Sequence, residues 1–179
     1  MIETTRPTAT LFALLLGLGL AGCGESERQE AANDQEMETA DIMTADGEED
    51  YATAQARFYE DYGAAPDVRQ TEGGVFYKVL TEGSGASPAL GDYVTVHYEG
   101  RLSDGTIFDS SYARGAPANF PSDRLIVGWQ QVLPLMHVGD KWEIVIPARL
   151  GYGARGAGTD IPPHATLIFT LELLGIGGA

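Results

Sequence analysis

The chain has 179 residues and a formal net charge of -15. This length allows one domain with accessory segments, and a body of about one hundred residues can bury a workable core. The negative charge argues against nucleic acid and anionic membrane surfaces as partners, because their phosphates would be repelled.

Residues 1–22 have the pattern of a secretory signal peptide. Residues 9–20 form an apolar run that is too short for a permanent membrane-spanning helix. The run ends in Leu20-Ala21-Gly22-Cys23, which resembles the lipobox of bacterial lipoproteins, where the cysteine becomes the acylated first residue. Cys23 is the only cysteine. We expect a lipid anchor on it; a stray thiol in a discarded segment is the alternative.

The resemblance also bears on which membrane is used. Bacterial lipoproteins that stay in the inner membrane carry an Asp directly after the acylated cysteine, whereas this chain has Gly24. We therefore expect an outer-membrane protein that faces the periplasm.

An acidic segment follows the predicted lipid site. Residues 24–50 contain eleven Asp or Glu residues and one basic residue, Arg28. Because this composition buries too little apolar surface to offset the entropy of ordering, we expect a disordered tether over residues 23–49.

Residues 50–62 are predicted to form one short helix, with a linker up to residue 73. Three aromatic residues recur on one face: Tyr51, Phe58 and Tyr62. An ion pair between Arg57 and Asp61 fits the same helix. We expect the aromatic face to dock on the domain that follows. A dimerisation helix is the alternative, and the sequence does not indicate a homodimer.

Residues 74–179 are predicted to form an α+β domain. Four segments alternate apolar and polar residues, which predicts strands with one apolar face each: residues 75–80, 94–102, 141–146 and 166–173. Asp104-Gly105 predicts a hairpin turn. Residues 128–136 are the only helical pattern, and Pro134 limits it to about two turns. We expect a twisted antiparallel sheet wrapped around one short α-helix.

A glycine-rich loop lies between the last two predicted strands. Residues 151–156 match the G-x-G-x-x-G spacing of dinucleotide-binding loops. That motif requires a following helix, but Pro162 and Pro163 and then a strand pattern come next. The sequence therefore does not predict nucleotide binding, and the loop must have another role.

Three stretches of the chain carry a family resemblance. Residues 96–111 (VHYEGRLSDGTIFDSS), 126–129 (IVGW) and 152–169 resemble the FKBP-type peptidyl-prolyl cis-trans isomerases in order and spacing. The resemblance covers residues 74–176. The segments FYKVL and PANF are closer to the macrophage infectivity potentiator-like branch of bacterial lipoproteins, whose members commonly carry a helical dimerisation domain.

The resemblance implies an aromatic pocket that holds a proline ring. Six positions would bind substrate: Phe108, Leu125, Ile126, Trp129, Ile161 and Phe169. Three positions would be catalytic: Tyr98, Asp109 and Tyr152. The glycine-rich loop would then be a flap over the pocket rim. On spacing alone, Asp109 has an alternative role as a turn cap with Ser110 and Ser111.

Two positions depart from the family pattern. Ala118 stands where many members have a second aromatic residue of the pocket wall, and Ala157 stands where some have a histidine on the flap. Both departures leave open how tightly macrolide inhibitors of the FK506 or rapamycin type would bind.

The resemblance implies no cofactor. The three histidines (His97, His137 and His164) lack metal-ligand spacing, so no metal is implied either. The expected function is isomerisation of X-Pro bonds during the folding of exported proteins in the bacterial cell envelope. The alternative is a non-catalytic peptide-binding or holdase module tethered to the membrane.

Overall fold

The computed structural model describes residues 49–177. The predicted signal peptide, the lipid site at Cys23 and the tether up to residue 48 lie outside the described residues. Within residues 49–177, no helix is long and apolar enough to cross a membrane.

Seven antiparallel strands form one sheet in the order β1-β2-β6-β7-β3-β4, with β5 paired to β3. The strands are β1 (Arg69–Gln70), β2 (Phe76–Thr81), β3 (Tyr93–Arg101), β4 (Ile107–Ser110), β5 (Ala118–Pro121), β6 (Lys141–Ile146) and β7 (Leu167–Ile176). The predicted α+β class and antiparallel sheet are confirmed. The four predicted strands correspond to β2, β3, β6 and β7. The three others have two to four residues each, which is too short for an alternating pattern to be visible.

The predicted hairpin turn connects β3 to β4. Gly105 has a φ of +88°, which a residue with a Cβ rarely adopts. Its N–H donates to the carbonyl of Leu102, and the Asp104 carboxylate accepts from the N–H of Thr106 at 2.8 Å. The Asp-Gly pair therefore forms the turn because each residue satisfies a different backbone requirement.

One short helix, α2 (Val127–Val132), packs against the core side of the sheet and continues as a 3₁₀ turn over Leu133–Leu135. Its inward side chains, Trp129, Val132 and Leu133, are buried in the main core together with Ile144 and Leu171. The prediction for residues 128–136 is confirmed, and Pro134 lies where the α-helix gives way to the 3₁₀ turn.

A second helix, α1 (Tyr51–Gly63), precedes the sheet. Asp50 caps it by accepting hydrogen bonds from the N–H groups of Ala52 and Thr53. The predicted face is partly wrong, because Tyr51 is 43% exposed whereas Gln55 and Tyr59 are buried. The predicted Arg57–Asp61 pair is also wrong.

The ion pair of α1 forms with the residue before the cap. The Arg57 guanidinium lies 2.9 Å from the Glu49 carboxylate. A long arginine side chain can reach a residue four positions along the helix, but it can also reach acidic residues outside the helix.

Helix α1 covers the back of the sheet, opposite the main core. Tyr59 packs against Phe76 at 4.5 Å between ring centroids, and Val145 and Ile168 complete this second buried cluster. These strand residues occupy alternating positions that the sequence pattern assigned to the solvent face. Their apolar side chains are buried because α1 covers them and excludes water.

Candidate active site

A cavity of about 490 Å³ opens between the sheet, α2 and the glycine-rich loop. Thirteen residues line it: Tyr98, Phe108, Asp109, Phe120, Leu125, Ile126, Trp129, Tyr152, Ala157, Gly158, Asp160, Ile161 and Phe169. All nine predicted site residues are among them. The structure thus brings these residues to one place, while their individual roles stay predictions.

Aromatic rings from three strands meet around Trp129 of α2. The indole stands edge-on to Tyr98 and to Phe169, each with ring centroids 5.3 Å apart and planes at 84°. Phe120 approaches the same indole at 6.5 Å. Edge-to-face contacts are a favoured arrangement of aromatic pairs. The rings therefore hold one another in place and leave an apolar space at their centre.

Gly100 of β3 allows two of these rings to meet. A Cβ at this position would lie 2.5 Å from the Phe108 ring and 2.7 Å from the Phe169 ring. Without it, Phe108 and Phe169 pack edge-on at 5.5 Å. The glycine is therefore required by the cage itself and not by a turn.

Asp109 lies at the cavity wall in a three-residue network. The Tyr98 hydroxyl donates to one carboxylate oxygen at 2.5 Å, and the Arg114 guanidinium donates to the other. The same guanidinium donates to the Tyr98 hydroxyl at 2.9 Å and lies 5.4 Å from the centre of its ring. Arg114, which the sequence did not single out, therefore locks the carboxylate and the phenol together.

This network keeps Asp109 ionised. Burial raises the pKa of the carboxyl group, but the hydrogen bonds from Tyr98 and Arg114 outweigh it, so the pKa lies below the usual value. Burial, and then the hydrogen bond to Asp109, raise the pKa of Tyr98. Near neutral pH the pair is thus a carboxylate and a protonated phenol, neither poised to transfer a proton.

The turn after Asp109 is capped by the neighbouring serines. Ser110 Oγ accepts a hydrogen bond from the N–H of Ala113 at 3.2 Å. Ser111 Oγ accepts from the N–H of Tyr98 at 2.7 Å. Both Asp109 oxygens also bind Tyr98 and Arg114, so the carboxylate has partners beyond this turn.

The glycine-rich loop forms one side of the cavity mouth. It contains a 3₁₀ turn over Gly153–Arg155 and no α-helix, in agreement with the rejection of nucleotide binding. Tyr152 lines the cavity and is 39% exposed. Ala157 and Ile161 pair through two backbone hydrogen bonds of 2.9 and 3.1 Å, which fixes the loop over the cavity.

Ile126 offers a backbone donor in the cavity lining. It is the N-cap of α2, and its carbonyl accepts from the N–H groups of Trp129 and Gln130. Its own N–H makes no hydrogen bond within residues 49–177. A peptide carbonyl that enters the cavity can therefore reach an unused donor.

The sequence missed three of the lining residues. Phe120 supplies an aromatic wall from the same segment in which the alanine departure was noted, whereas Ala118 packs against the core outside the lining. The expected loss of an aromatic is therefore corrected: a ring is present two residues later. Gly158 and Asp160 reach the cavity only through the path of the loop, for which the sequence carries no periodic signal.

The histidines lie apart from one another. His97 stacks on Tyr112 at 4.6 Å and contacts Ser111 Oγ at 2.8 Å. His137 lies 3.8 Å from the Asp140 carboxylate, and His164 follows the proline pair with a φ of +63°. Among residues 49–177, no three His, Cys, Asp or Glu side chains are grouped for metal binding.

Comparison with known proteins gives one consistent result. Residues 85–174 match the family model described as FKBP-type peptidyl-prolyl cis-trans isomerase. The FKBP-type 22 kDa peptidyl-prolyl cis-trans isomerase of Escherichia coli is 48% identical over 78% of this chain and 68% of its own length. The isomerase Mip of Coxiella burnetii is 50% identical over 62% of this chain and 48% of its own length. The chain thus spans between about half and two thirds of these relatives.

Solved structures show the same similarity. The peptidyl-prolyl cis-trans isomerase of Pseudomonas syringae aligns with a TM-score of 0.66 and 39% identity, over 70% of this chain and 92% of that one. FkpA of Escherichia coli aligns with a TM-score of 0.67 and 38% identity, over 70% of this chain and 59% of that one. The relatives' names describe isomerases, which does not favour the non-catalytic alternative.

Proposed function

The chain belongs to the family of FKBP-type peptidyl-prolyl cis-trans isomerases, and on that premise we propose that it isomerises X-Pro bonds in exported proteins of the bacterial cell envelope. The observation that carries the proposal is the aromatic cage around Trp129. It offers an apolar space lined by rings from four strands and one helix, with polar groups only at its wall and mouth.

Such a cage lowers the barrier because of the electronic structure of the amide. Resonance gives the C–N bond partial double-bond character and opposes rotation with about 20 kcal/mol. Resonance also places negative charge on the carbonyl oxygen, which water stabilises. A water-poor cavity removes that stabilisation, whereas the twisted transition state is less charge-separated and is bound better. The step needs no nucleophile and no cofactor.

The polar groups would position the peptide. The Tyr152 hydroxyl and the Ile126 N–H would hold substrate carbonyls. A donor on the reacting carbonyl would favour the planar ground state, so Tyr152 should bind a neighbouring one. Tyr98 would orient Asp109 at the wall, as their hydrogen bond of 2.5 Å supports.

An isomerase assay tests this function with the full chain and a matched pair of variants. We expect the chain to accelerate the cis-to-trans conversion of a Leu-Pro peptide. Tyr152→Phe should lower kcat/KM about fivefold, because one lost hydrogen bond costs about 1 kcal/mol. Tyr93→Phe removes a hydroxyl from an exposed residue outside the cavity and should leave the rate unchanged.

Two outcomes would contradict the proposal at different levels. A rate no faster than buffer would reject the isomerase function; suppression of client aggregation by such an inactive chain would support the holdase alternative instead. Equal losses in Tyr152→Phe and Tyr93→Phe, in an otherwise active chain, would reject only the role of Tyr152.

We further propose that a lipid on Cys23 tethers the domain to the outer membrane, where it faces the periplasm. Support comes from the lipobox-like segment and from a relative in Legionella longbeachae that is named outer membrane protein MIP, 43% identical over 62% of this chain. Triacylation supplies more than the single chain that binds membranes only marginally.

Cell fractionation tests the anchor. We expect Cys23→Ser to move the protein from the membrane pellet to the soluble fraction, while Ser26→Ala, a nearby control, stays in the pellet. Gly24→Asp should move it from outer to inner membranes. Retention of Cys23→Ser in the pellet would show that something other than a lipid on this cysteine holds the protein.

Binding of macrolide inhibitors of the FK506 or rapamycin type would use the same cavity. Phe120 supplies a wall ring despite Ala118, which supports such binding, and Ala157 removes a side chain from the flap. A calorimetric titration with such an inhibitor would measure the affinity.

A further inference from the structure

The electrostatics of the cavity mouth differ from those of its interior. Only two of the thirteen lining residues carry a charge near neutral pH, Asp109 and Asp160. Both are acidic. The charge that a bound peptide meets depends on whether each carboxylate is already neutralised by a cation of the protein.

Asp109 is neutralised. The Arg114 guanidinium binds one of its oxygens, and the Tyr98 hydroxyl binds the other. A substrate cation could approach this carboxylate only by displacing an arginine that also donates to Tyr98. Asp109 therefore contributes little net charge to the recognition of a peptide side chain.

Asp160, in contrast, is not neutralised by a cation of the described residues. It is exposed, and its side chain accepts one hydrogen bond, from the Thr159 hydroxyl at 3.2 Å. It forms no ion pair with any of residues 49–177. Its carboxylate is thus the uncompensated charge of the cavity lining.

The position of Asp160 is held by the closed end of the glycine-rich loop. The adjacent Ile161 is 7% exposed and packs in the main core. Its backbone pairs with that of Ala157 across the loop. The backbone that carries the Asp160 carboxylate is therefore held at the cavity mouth by hydrogen bonds and by the packing of Ile161.

We propose that Asp160 is a specificity-determining residue, which makes the site prefer X-Pro bonds that have a lysine or arginine next to the proline. The inference rests on the proposed isomerase function and names its substrate class. A peptide whose proline fills the cage must place its neighbouring side chains at the mouth. There, apolar walls of low dielectric strengthen the field of a single charge.

The field of the rest of the domain has the same sign. Residues 51–179 contain fourteen acidic and nine basic residues. This long-range contribution also favours cationic peptides, so the experiment must separate it from the local effect of Asp160. Asp123 provides the control, because it is exposed on the 3₁₀ turn Ser122–Arg124 and lies outside the cavity lining.

The test measures kcat/KM of the full chain for two series of peptides. In one series the residue before the proline is Lys, Leu or Glu, and in the other series the residue after the proline is varied in the same way. Exposed ion pairs change affinity by about two- to fivefold. Attraction of lysine and repulsion of glutamate together therefore predict a Lys-to-Glu ratio of roughly five to twenty in at least one series. The change should appear mainly in KM, since the charge acts on ground state and transition state alike.

Asp160→Asn should lower that ratio at least threefold, whereas Asp123→Asn should keep the ratio near its original value. High salt should bring the ratio of the original chain towards one, since about 1 M salt shortens the Debye length to about 3 Å.

The outcomes separate this inference from the proposed function. If the Leu peptide is not accelerated, the isomerase proposal itself fails. If the Leu peptide is accelerated but neither series discriminates lysine from glutamate, only the role of Asp160 is rejected. Equal effects of Asp160→Asn and Asp123→Asn would also reject it, because the preference would then come from the net charge of the domain.

Discussion

Replacing Gly156 with alanine is expected to lower kcat/KM for an X-Pro peptide by about ten- to one hundredfold, because the glycine-rich loop can no longer keep its conformation beside the cavity. Gly156 has a φ of +66° and a ψ of -163°, a conformation found almost exclusively in glycine. A Cβ there would lie 2.2 Å from the carbonyl oxygen of Ile161 and 2.8 Å from the carbonyl carbon of Pro162. These are backbone atoms, so no side-chain rotation relieves the clash.

The displaced atoms belong to the part of the loop that reaches the site. The same Ile161 carbonyl accepts the hydrogen bond from the N–H of Ala157. Moving it would disturb three lining residues: Ala157, Asp160 and Ile161. We also expect Gly156→Ala to reduce the free energy of unfolding by about 2–4 kcal/mol, the range of a strained backbone with an added clash.

Gly153 provides the matched control in the same loop. Its φ is +61°, but a Cβ there would meet no atom within 4 Å. Gly153→Ala should therefore lose only about 1 kcal/mol of stability and keep kcat/KM within about twofold of the original chain. Urea unfolding and the peptide assay measure both effects. If the two alanine variants behave alike, the clash with Ile161 does not control the loop.

The parts of the fold that the sequence predicted are those in which one local pattern decides the structure. Strand β3 has nine residues, and buried and half-buried positions alternate after its exposed first residue, so its period is visible without tertiary information. Tyr98 and Phe169 follow from such alternation, and Trp129 from the single helical pattern. The resemblance added the remaining cavity positions, which periodicity cannot supply.

The features that the sequence did not predict depend on contacts between segments far apart in the chain. Phe76 and Val145 looked like the solvent-facing positions of their strands, because nothing in the strands themselves shows that α1 covers them. The inward face of α1 was misplaced for the same reason: Gln55 is polar, yet it is 5% exposed. Arg114 acquires its setting only when β3 and β4 pair, and Asp160 only when the glycine-rich loop reaches the cavity.

Gln55 of α1 makes three hydrogen bonds to the rest of the domain. Its side-chain oxygen accepts from the N–H of Thr166 at 3.0 Å, and its side-chain nitrogen donates to Ser103 Oγ at 2.7 Å. The Thr166 hydroxyl donates to the Gln55 carbonyl at 3.1 Å. Thr166 lies where the glycine-rich loop returns to β7, and Ser103 lies in the turn between β3 and β4. One buried amide thus joins α1 to two segments that border the cavity walls.

Gln55→Ala is expected to reduce the free energy of unfolding by about 2–4 kcal/mol, measured by urea denaturation. The N–H of Thr166, a residue that is 2% exposed, would be left without its acceptor, and an unsatisfied buried group costs about 1–3 kcal/mol. Loss of the Ser103 contact and of packed side-chain volume adds to this. Glu60→Ala, at an exposed position of the same helix, should change stability by less than about 0.5 kcal/mol.

The same pair of variants decides whether α1 is part of the folded unit or an addition to it. The family match begins at residue 85, and the sequence placed the start of the domain at residue 74, so both treat the helix as a separate segment. A loss above about 2 kcal/mol in a single cooperative transition would show that sheet and helix unfold together. If Gln55→Ala instead matches Glu60→Ala, the two side-chain hydrogen bonds of Gln55 contribute no net stability, and the packing of Tyr59 on Phe76 holds α1 to the sheet.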